Sequence, residues 1–268
     1  MTLSMFDLTD RVAIVTGSGR GIGKGIALGL AEAGATVVVT SRTPAEIEAT
    51  ASEIRDKGGT ALAIATDMMD PEQVSNLVQK TVSEFGKLDI MVNNAGGSTG
   101  ISPALELSLE DWEGNLRWNL TSAFLGCQAA AKIMIPQRRG SIINIGSIAA
   151  IAPQPGRVHY CAAKAGIDIM TKTLAMEWGR YNVRVNAIRP GTIWTSALER
   201  NYQRFPEDYD FRLRLTPLGR HGTPRDLVGV TIFLASDASA FVTGASFAVD
   251  GGLPIVASVR KDDPSSFW

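Results

Sequence analysis

The chain has 268 residues, with 26 Lys and Arg against 27 Asp and Glu and a formal charge of −1; that balance supplies no long-range field for nucleic acid or an anionic membrane. Hydrophobic residues at 45% and charged residues at 20% provide a sizeable core and exclude a disordered chain. The length suits one large α/β domain, 1–268, better than two small ones.

Residues 12–16 form an apolar, β-branched run that predicts a strand; glycines follow, then helical spacing over 22–33. Gly34 is placed to stop that helix, since glycine takes the left-handed conformation a helix end often needs. A second strand is predicted at 36–40, a helix at 44–57 ended by Gly58 and Gly59, and a third strand at 61–65. Asp70-Pro71-Glu72 reads as a helix start, an N-cap with proline in the first turn, for a helix ending near Phe85. A fourth strand is predicted at 90–93, and one or two helices over 111–135, the second beginning near Asn119. The fifth strand, 141–145, precedes a long helix at 158–178 and a sixth strand at 183–188. A polar, aromatic segment at 192–215 breaks the rhythm; helix 224–235 and strand 245–249 resume it before Gly251 and Gly252.

Alternation of strand and helix implies a parallel sheet, because parallel neighbours need crossover connections. Right-handed crossovers then give a doubly wound, Rossmann-type sheet of about seven strands with helices on both faces. No repeat, low-complexity stretch or linker divides the chain. The only cysteines, Cys127 and Cys161, form no disulfide framework, and His159 and His221 form no metal-ligand cluster with them. Residues 1–10 are too short and polar for a signal peptide, and no apolar run reaches the roughly 20 residues of a membrane span. A cytoplasmic protein without bound metal, nucleic acid or membrane is the expectation.

Thr16-Gly17-Ser18-Gly19-Arg20-Gly21-Ile22-Gly23 stands where the first strand gives way to the first helix. Glycines there let backbone N–H groups approach a pyrophosphate, and the helix N-terminus adds a favourable dipole. The spacing is T-G-x-x-x-G-x-G rather than G-x-G-x-x-G, and an ordinary glycine-rich turn is the competing explanation. An NAD-preferring site usually ends its second strand with an acidic residue for the ribose 2′-hydroxyl. Here that end reads Thr40-Ser41-Arg42, without a carboxylate. Arg42, helped by Arg20, is suited to a 2′-phosphate, so NADP(H) is expected and NAD(H) is less favoured.

Tyr160 and Lys164 are four residues apart on a predicted helix and therefore share a face. A phenol with a reference pKa of ~10 exchanges protons poorly at neutral pH; a neighbouring ammonium is expected to lower that value. Tyr160 then serves as general acid in reduction and general base in oxidation. Ser147, thirteen residues before it, follows the fifth strand at the carboxyl edge of the sheet, where ligands collect. Its hydroxyl can hold the reacting oxygen in line with Tyr160. Each residue alone is commonplace, on a solvated helix face or in a turn; the combination is specific.

Together with Asn93-Asn94-Ala95-Gly96, Asn119-Leu120-Thr121 and Pro190-Gly191-Thr192-Ile193-Trp194-Thr195, these motifs run in the order of the short-chain dehydrogenase/reductase family, which the chain resembles over nearly its whole length. The resemblance is to the short single-domain branch, which includes the 3-oxoacyl-carrier-protein reductases and related ketoreductases. It implies hydride transfer between NADP(H) and a carbonyl or secondary alcohol. Asn119 would complete a catalytic tetrad with Ser147, Tyr160 and Lys164 by holding a water in the proton relay, and Lys164 would also bond the nicotinamide ribose. Contacts to the dinucleotide would come from Gly17, Ser18, Arg20, Gly21, Ile22, Gly23, Ser41, Arg42, Asn94, Ala95, Gly96, Tyr160, Pro190 and Gly191. Asp67 and Met68 would meet adenine, and Ile193 and Thr195 the carboxamide. The resemblance further implies a homotetramer packed through 111–135 and 158–178.

Substrate identity is left open by the sequence. Segment 192–215 is a candidate substrate lid, and Ser147, Gln154, Arg157 and Trp194 are candidate substrate contacts from chain position. The tail, 255–268, is either a subunit contact or frayed. Three other readings stand beside ketone reduction: epimerisation or dehydration of nucleotide sugars, whose relatives generally have a longer chain with a C-terminal substrate domain; C=C reduction of the enoyl type; and nucleotide sensing or scaffolding without turnover. Enoyl-reducing relatives commonly space tyrosine and lysine more widely than the three intervening residues here, and a sensor has no need of Ser147, Tyr160 and Lys164 together.

Overall fold

A computed structural model of the chain describes residues 4–253, Thr99 apart; the tail at 255–268 lies outside the described residues. Seven strands form one parallel sheet: β1 (Val12–Thr16), β2 (Thr36–Thr40), β3 (Ala61–Ala63), β4 (Ile90–Asn93), β5 (Gly140–Ile145), β6 (Val183–Pro190) and β7 (Ser246–Val249). Their spatial order is β3-β2-β1-β4-β5-β6-β7, every pairing is parallel, and Val12 faces Thr36 in the β1–β2 register. The doubly wound, Rossmann-type sheet expected from the sequence is thus present. The order in which strands are added reverses between β1 and β4, which opens a crevice at the carboxyl edge, the topological switch point where such sheets bind ligands.

Helices α1 (Gly21–Glu32), α2 (Pro44–Asp56) and α9 (Val228–Ala235) contribute to one core; α3 (Pro71–Phe85), α5 (Ser122–Gln137) and α6 (Val158–Trp178) contribute to the other. Alternation along the strands explains the two layers. Ala13, Val15, Val37 and Val39 enter the first core, whereas Ile14, Met91 and Val38 enter the second. Both faces are buried, so the central strands read as continuous apolar runs rather than alternating ones. Local signals set the ends of α3: the Asp70 carboxylate accepts from the N–H groups of Glu72 and Gln73, and Gly86 closes the helix at φ 77°. Among the described residues no helix is long and apolar enough to cross a membrane.

The structure departs from the sequence reading at several elements, among them β6, which runs on to Pro190 rather than ending at residue 188. β3 ends at Ala63 rather than at residue 65. Helix 224–235 is a 3₁₀ turn, Pro224–Leu227, leading into α9. The stretch at 111–135 is α4 (Leu109–Leu116), a π-helical turn at Arg117–Thr121, and then α5; Asn119 sits inside that turn and does not begin a helix. The segment 192–215 folds as two short helices, α7 (Ser196–Arg204) and α8 (Glu207–Arg214).

A buried polar lattice fixes the floor of the crevice. Asn93 Nδ2 donates to Asn144 Oδ1 at 2.9 Å, Cys127 Sγ donates to the same oxygen, and Asn144 Nδ2 donates to Thr171 Oγ1 at 3.0 Å. These bonds tie β4, β5, α5 and α6 together in a low-dielectric interior where unpaired partners are costly. Arg189 of β6 grips Asp168 of α6 at 2.7 and 2.8 Å, and Asp168 also accepts from Ser246 of β7. α6 is therefore held in register with the strand ends it overhangs.

Candidate active site

A cleft of about 430 Å³ runs along the carboxyl edge from Ser41 and Arg42 at one end to Ser147, Tyr160 and Lys164 at the other. Its floor is the loop after β1. Gly17 and Gly21 have φ of 63° and 56°, in the left-handed region that glycine tolerates without strain. A Cβ at Gly23 would collide with the Gly17 carbonyl and with Asn94 Nδ2, so glycine is required for the turn to close. Asn94 Nδ2 donates to the carbonyls of Thr16 and Gly17, while the N–H groups of Asn94 and Ala95 both donate to Thr16 Oγ1 at 2.9 Å. Asn94 thus braces the glycine loop as well as lining the cleft.

Of the other residues expected at the dinucleotide, Arg20, Ile22, Ala95, Gly96, Asp67, Met68, Pro190, Gly191 and Thr195 all line this cleft. Ser18 does not. It is fully buried, its N–H donates to the Thr40 carbonyl, and its hydroxyl donates to the Val15 carbonyl and accepts from the Thr40 N–H. Both of its polar groups are spent joining β1 to β2. Ile193 likewise lies outside the cleft, packed in the core beside a backbone bridge to Gly222. Arg20 reaches the cleft but is ion-paired to Glu46 at 3.3 Å, whereas Arg42 is exposed and makes no ion pair among the described residues.

At the other end the tyrosine, serine and lysine converge. The Ser147 hydroxyl is hydrogen-bonded to the Tyr160 phenol and accepts from the Ala149 N–H at 3.1 Å, which fixes its rotamer. Lys164 is 5% exposed; its Nζ donates to the Ile145 carbonyl at 3.0 Å and lies 5.6 Å from the Tyr160 ring centroid. Burial pushes the Lys164 ammonium down to about 8, against the opposing pull of Asp168 one turn further on. Tyr160 corrects the sequence expectation. Burial raises the phenol above its ordinary value, and the Ser147 hydrogen bond and the Arg157 charge only partly offset that rise. Desolvation disfavours the phenolate, so the ring enters neutral pH protonated.

Asn119 is 1% exposed and outside the cleft lining. Its Nδ2 donates to the Gly97 carbonyl at 2.9 Å and to Asn115, and its Oδ1 accepts from the Gly97 N–H at 3.0 Å. The side chain is committed to holding the loop after β4, which leaves the backbone of the π turn as its only means of reaching a water.

Of the expected substrate contacts, Ser147 lies in the cleft, while Gln154, Arg157 and Trp194 do not line it. Gln154 and Arg157 form the turn before α6, with the Arg157 N–H donating to the Gln154 carbonyl. Trp194 belongs to an aromatic cluster with Tyr202, Tyr209 and His221, in which His221 stacks on Trp194 and Tyr202 at centroid distances of 6.0 and 5.4 Å. His221 is buried, and among the described residues neither ring nitrogen has a hydrogen-bond partner. Sequence reasoning missed this residue because its neighbours in space are 12 to 27 positions away in sequence. It also missed Glu46, Met69 and Trp118 on the cleft wall. For Glu46 a signal existed: an acid in the first turn of the helix directly after β2.

A nucleotide-sized crevice floored by a glycine turn, with a hydrogen-bonded serine and tyrosine and a buried lysine at one end, defines a dinucleotide-dependent oxidoreductase. The model of the enoyl-(acyl carrier protein) reductase family matches residues 17–254. A 3-oxoacyl-[acyl-carrier-protein] reductase of Synechocystis is 41% identical over 251 residues, covering 93% of this chain and 99% of that one. D-threitol dehydrogenase of Mycolicibacterium smegmatis is 38% identical over 250 residues, 93% of this chain and 95% of the relative. The crystal structure of a gluconate 5-dehydrogenase from Burkholderia cenocepacia, in complex with NADP and tartrate, superposes with a TM-score of 0.90 at 37% identity, over 97% of this chain and 100% of that one. The chain belongs to the short-chain dehydrogenase/reductase family.

Proposed function

We propose that this enzyme interconverts a ketone and a secondary alcohol with NADP(H), using Tyr160 as the proton donor and acceptor. The observation that carries the reading is the Ser147–Tyr160 hydrogen bond with the buried Lys164 beside it, at the catalytic end of a glycine-floored cleft. The cleft fits the dinucleotide: the turn at Gly17–Gly23 excludes side chains where a pyrophosphate needs backbone N–H groups, and Arg42, without an ion pair among the described residues, lines the adenosine end. Relatives named above include one solved with NADP and others named as reductases or dehydrogenases of keto and hydroxyl groups.

The nicotinamide, when bound, supplies or accepts the hydride at the carbonyl carbon. Ser147 holds the carbonyl oxygen by hydrogen bond, and Tyr160 gives its proton to the oxygen as negative charge develops there. A phenol kept protonated by burial is set for that direction. Lys164 compensates the phenolate left behind and turns its remaining donors toward the ribose. Asn119 acts as a positioning residue, holding the 96–97 loop with its side chain and a relay water with its main-chain carbonyl. α7 and α8 form the lid that closes over the substrate, with Trp194, Arg157 and Gln154 at its border.

The proposal extends to a homotetramer in the cytoplasm. Phe124, Ile169 and Met176 are exposed apolar side chains on α5 and α6, the faces a second copy would cover. The two cysteines are unpaired, as a reducing compartment keeps them. Incubating the protein with NADPH, a panel of ketones and α,β-unsaturated carbonyls, and identifying the products, tests the activity. Secondary alcohols are expected; saturated carbonyl products with the alkene reduced would replace this reading with the enoyl-type one.

A further inference from the structure

The end of β2 carries no acid, yet the adenosine end of the cleft contains a carboxylate. Glu46, in the first turn of α2, folds back over the glycine loop: a Cβ built on Gly19 would stand 3.1 Å from Glu46 Oε2 and 3.3 Å from Ser41 Oγ. The carboxylate therefore shares its space with the Ser41 hydroxyl and the Gly19 backbone, on the cleft wall that also holds Arg42. The backbone beneath it is tied to the glycine loop, since Thr50 Oγ1 donates to the Glu46 main-chain carbonyl at 3.1 Å and to the Gly19 carbonyl at 3.4 Å. Glu46 also holds Arg20 at 3.3 Å, so one of the two guanidiniums available to a 2′-phosphate already has a partner of opposite charge.

These contacts bear differently on the two dinucleotides. A carboxylate accepts a hydrogen bond from a ribose 2′-hydroxyl and repels a 2′-phosphate, which carries two negative charges at most. Arg20 can reach a 2′-phosphate only by leaving Glu46, whereas Arg42 has no ion pair to break among the described residues. We propose that Glu46 is a specificity-determining residue of the adenosine subsite: it favours the 2′-hydroxyl of NAD(H), keeps Arg20 from the 2′-phosphate of NADP(H), and so narrows this enzyme's preference for NADP(H) enough that both cofactors are used. The inference rests on the dinucleotide reading above and adds to it a residue that opposes the cofactor preference set by Arg42.

The two halves of the cofactor difference can be measured on fragments without turnover. Adenosine 2′,5′-bisphosphate carries the 2′-phosphate, and adenosine 5′-monophosphate carries the free 2′-hydroxyl. Titration calorimetry of both against wild-type protein, Glu46→Gln and Arg42→Ala gives ratios of dissociation constants. Glu46→Gln keeps the side-chain shape, removes the charge and frees Arg20; the bisphosphate should bind about tenfold more tightly relative to the monophosphate. Glu46→Ala, which removes the side chain altogether, should move the ratio the same way. The Michaelis constants should follow, falling for NADPH and not for NADH. A ratio within about twofold of wild type in both Glu46 variants overturns the proposal. Arg42→Ala separately tests the reading beneath it: if that variant leaves bisphosphate affinity unchanged, the NADP(H) assignment fails whatever Glu46 does.

Discussion

The floor of the cleft and the aromatic cluster of Trp194, Tyr202, Tyr209 and His221 are built on opposite plans. On the floor, polar groups are spent inside the protein: Asn94 on the glycine loop, Asn119 on Gly97, Asn144 on Asn93 and Thr171, Lys164 on Ile145. Above it, Trp194, Tyr202 and Tyr209 of the segment 192–215 pack their rings against one another and against His221, which is buried with no hydrogen-bond partner for either nitrogen among the described residues. Directed bonds fix atoms to a few tenths of an ångström, as proton transfer requires; ring packing tolerates sliding, as a surface that closes over a substrate requires. On the function proposed above, the floor would define the reaction, and the segment 192–215 the molecule that undergoes it.

Substitutions on the two sides should separate accordingly. The largest effect is expected at Lys164. Lys164→Met keeps the buried volume and removes the charge, and kcat for ketone reduction should fall on the order of a thousandfold. Its pH signature is specific: the ammonium is held at about 8, so it is present below that pH and lost above it. Because burial raises Tyr160, the acid itself stays protonated across the same range. Reduction by the wild type should decline as pH rises through about 8, and Lys164→Met should lack that decline. A wild-type profile that rises there would break the assignment.

Ser147→Ala should lower kcat about a hundredfold while the Michaelis constant for NADPH changes little, since one hydrogen bond to the developing oxyanion is lost. Gly23→Ala acts at the other end of the floor. The added methyl must displace the Gly17 carbonyl, and NADPH affinity should drop on the order of a hundredfold, read by quenching of NADPH fluorescence. The smallest effects belong to the aromatic cluster. His221→Phe preserves the ring stack and removes two unpaired nitrogens, so the melting temperature should hold or rise and kcat should stay within about threefold. A hundredfold loss of kcat there would erase the contrast between the two regions and bring His221 into the chemistry.

The same contrast decides what was legible in the sequence. β1, β4 and α6 were read with their observed bounds because buried β-branched runs and an uninterrupted helical spacing are local properties. Tyr160 and Lys164 share a helix face by spacing alone, and Ser147 was found because a strand end is visible in sequence. What the sequence hid lies between distant segments. Glu46 meets Arg20 across 26 positions, and His221 meets Trp194 across 27. The π turn around Asn119 has no periodicity to announce it, and the commitment of Ser18 to β2 is a contact between strands. The direction of the Tyr160 shift was misjudged for a related reason: charge pairs are read from spacing, but desolvation depends on everything packed around the ring.

Tyr160→Phe tests the central claim most directly, since it removes one oxygen from the cleft and leaves the ring. NADPH should bind within about threefold of wild type by fluorescence titration, while single-turnover ketone reduction should fall at least about a hundredfold. Reduction that proceeds at the wild-type rate with NADPH bound would contradict Tyr160 as the proton donor.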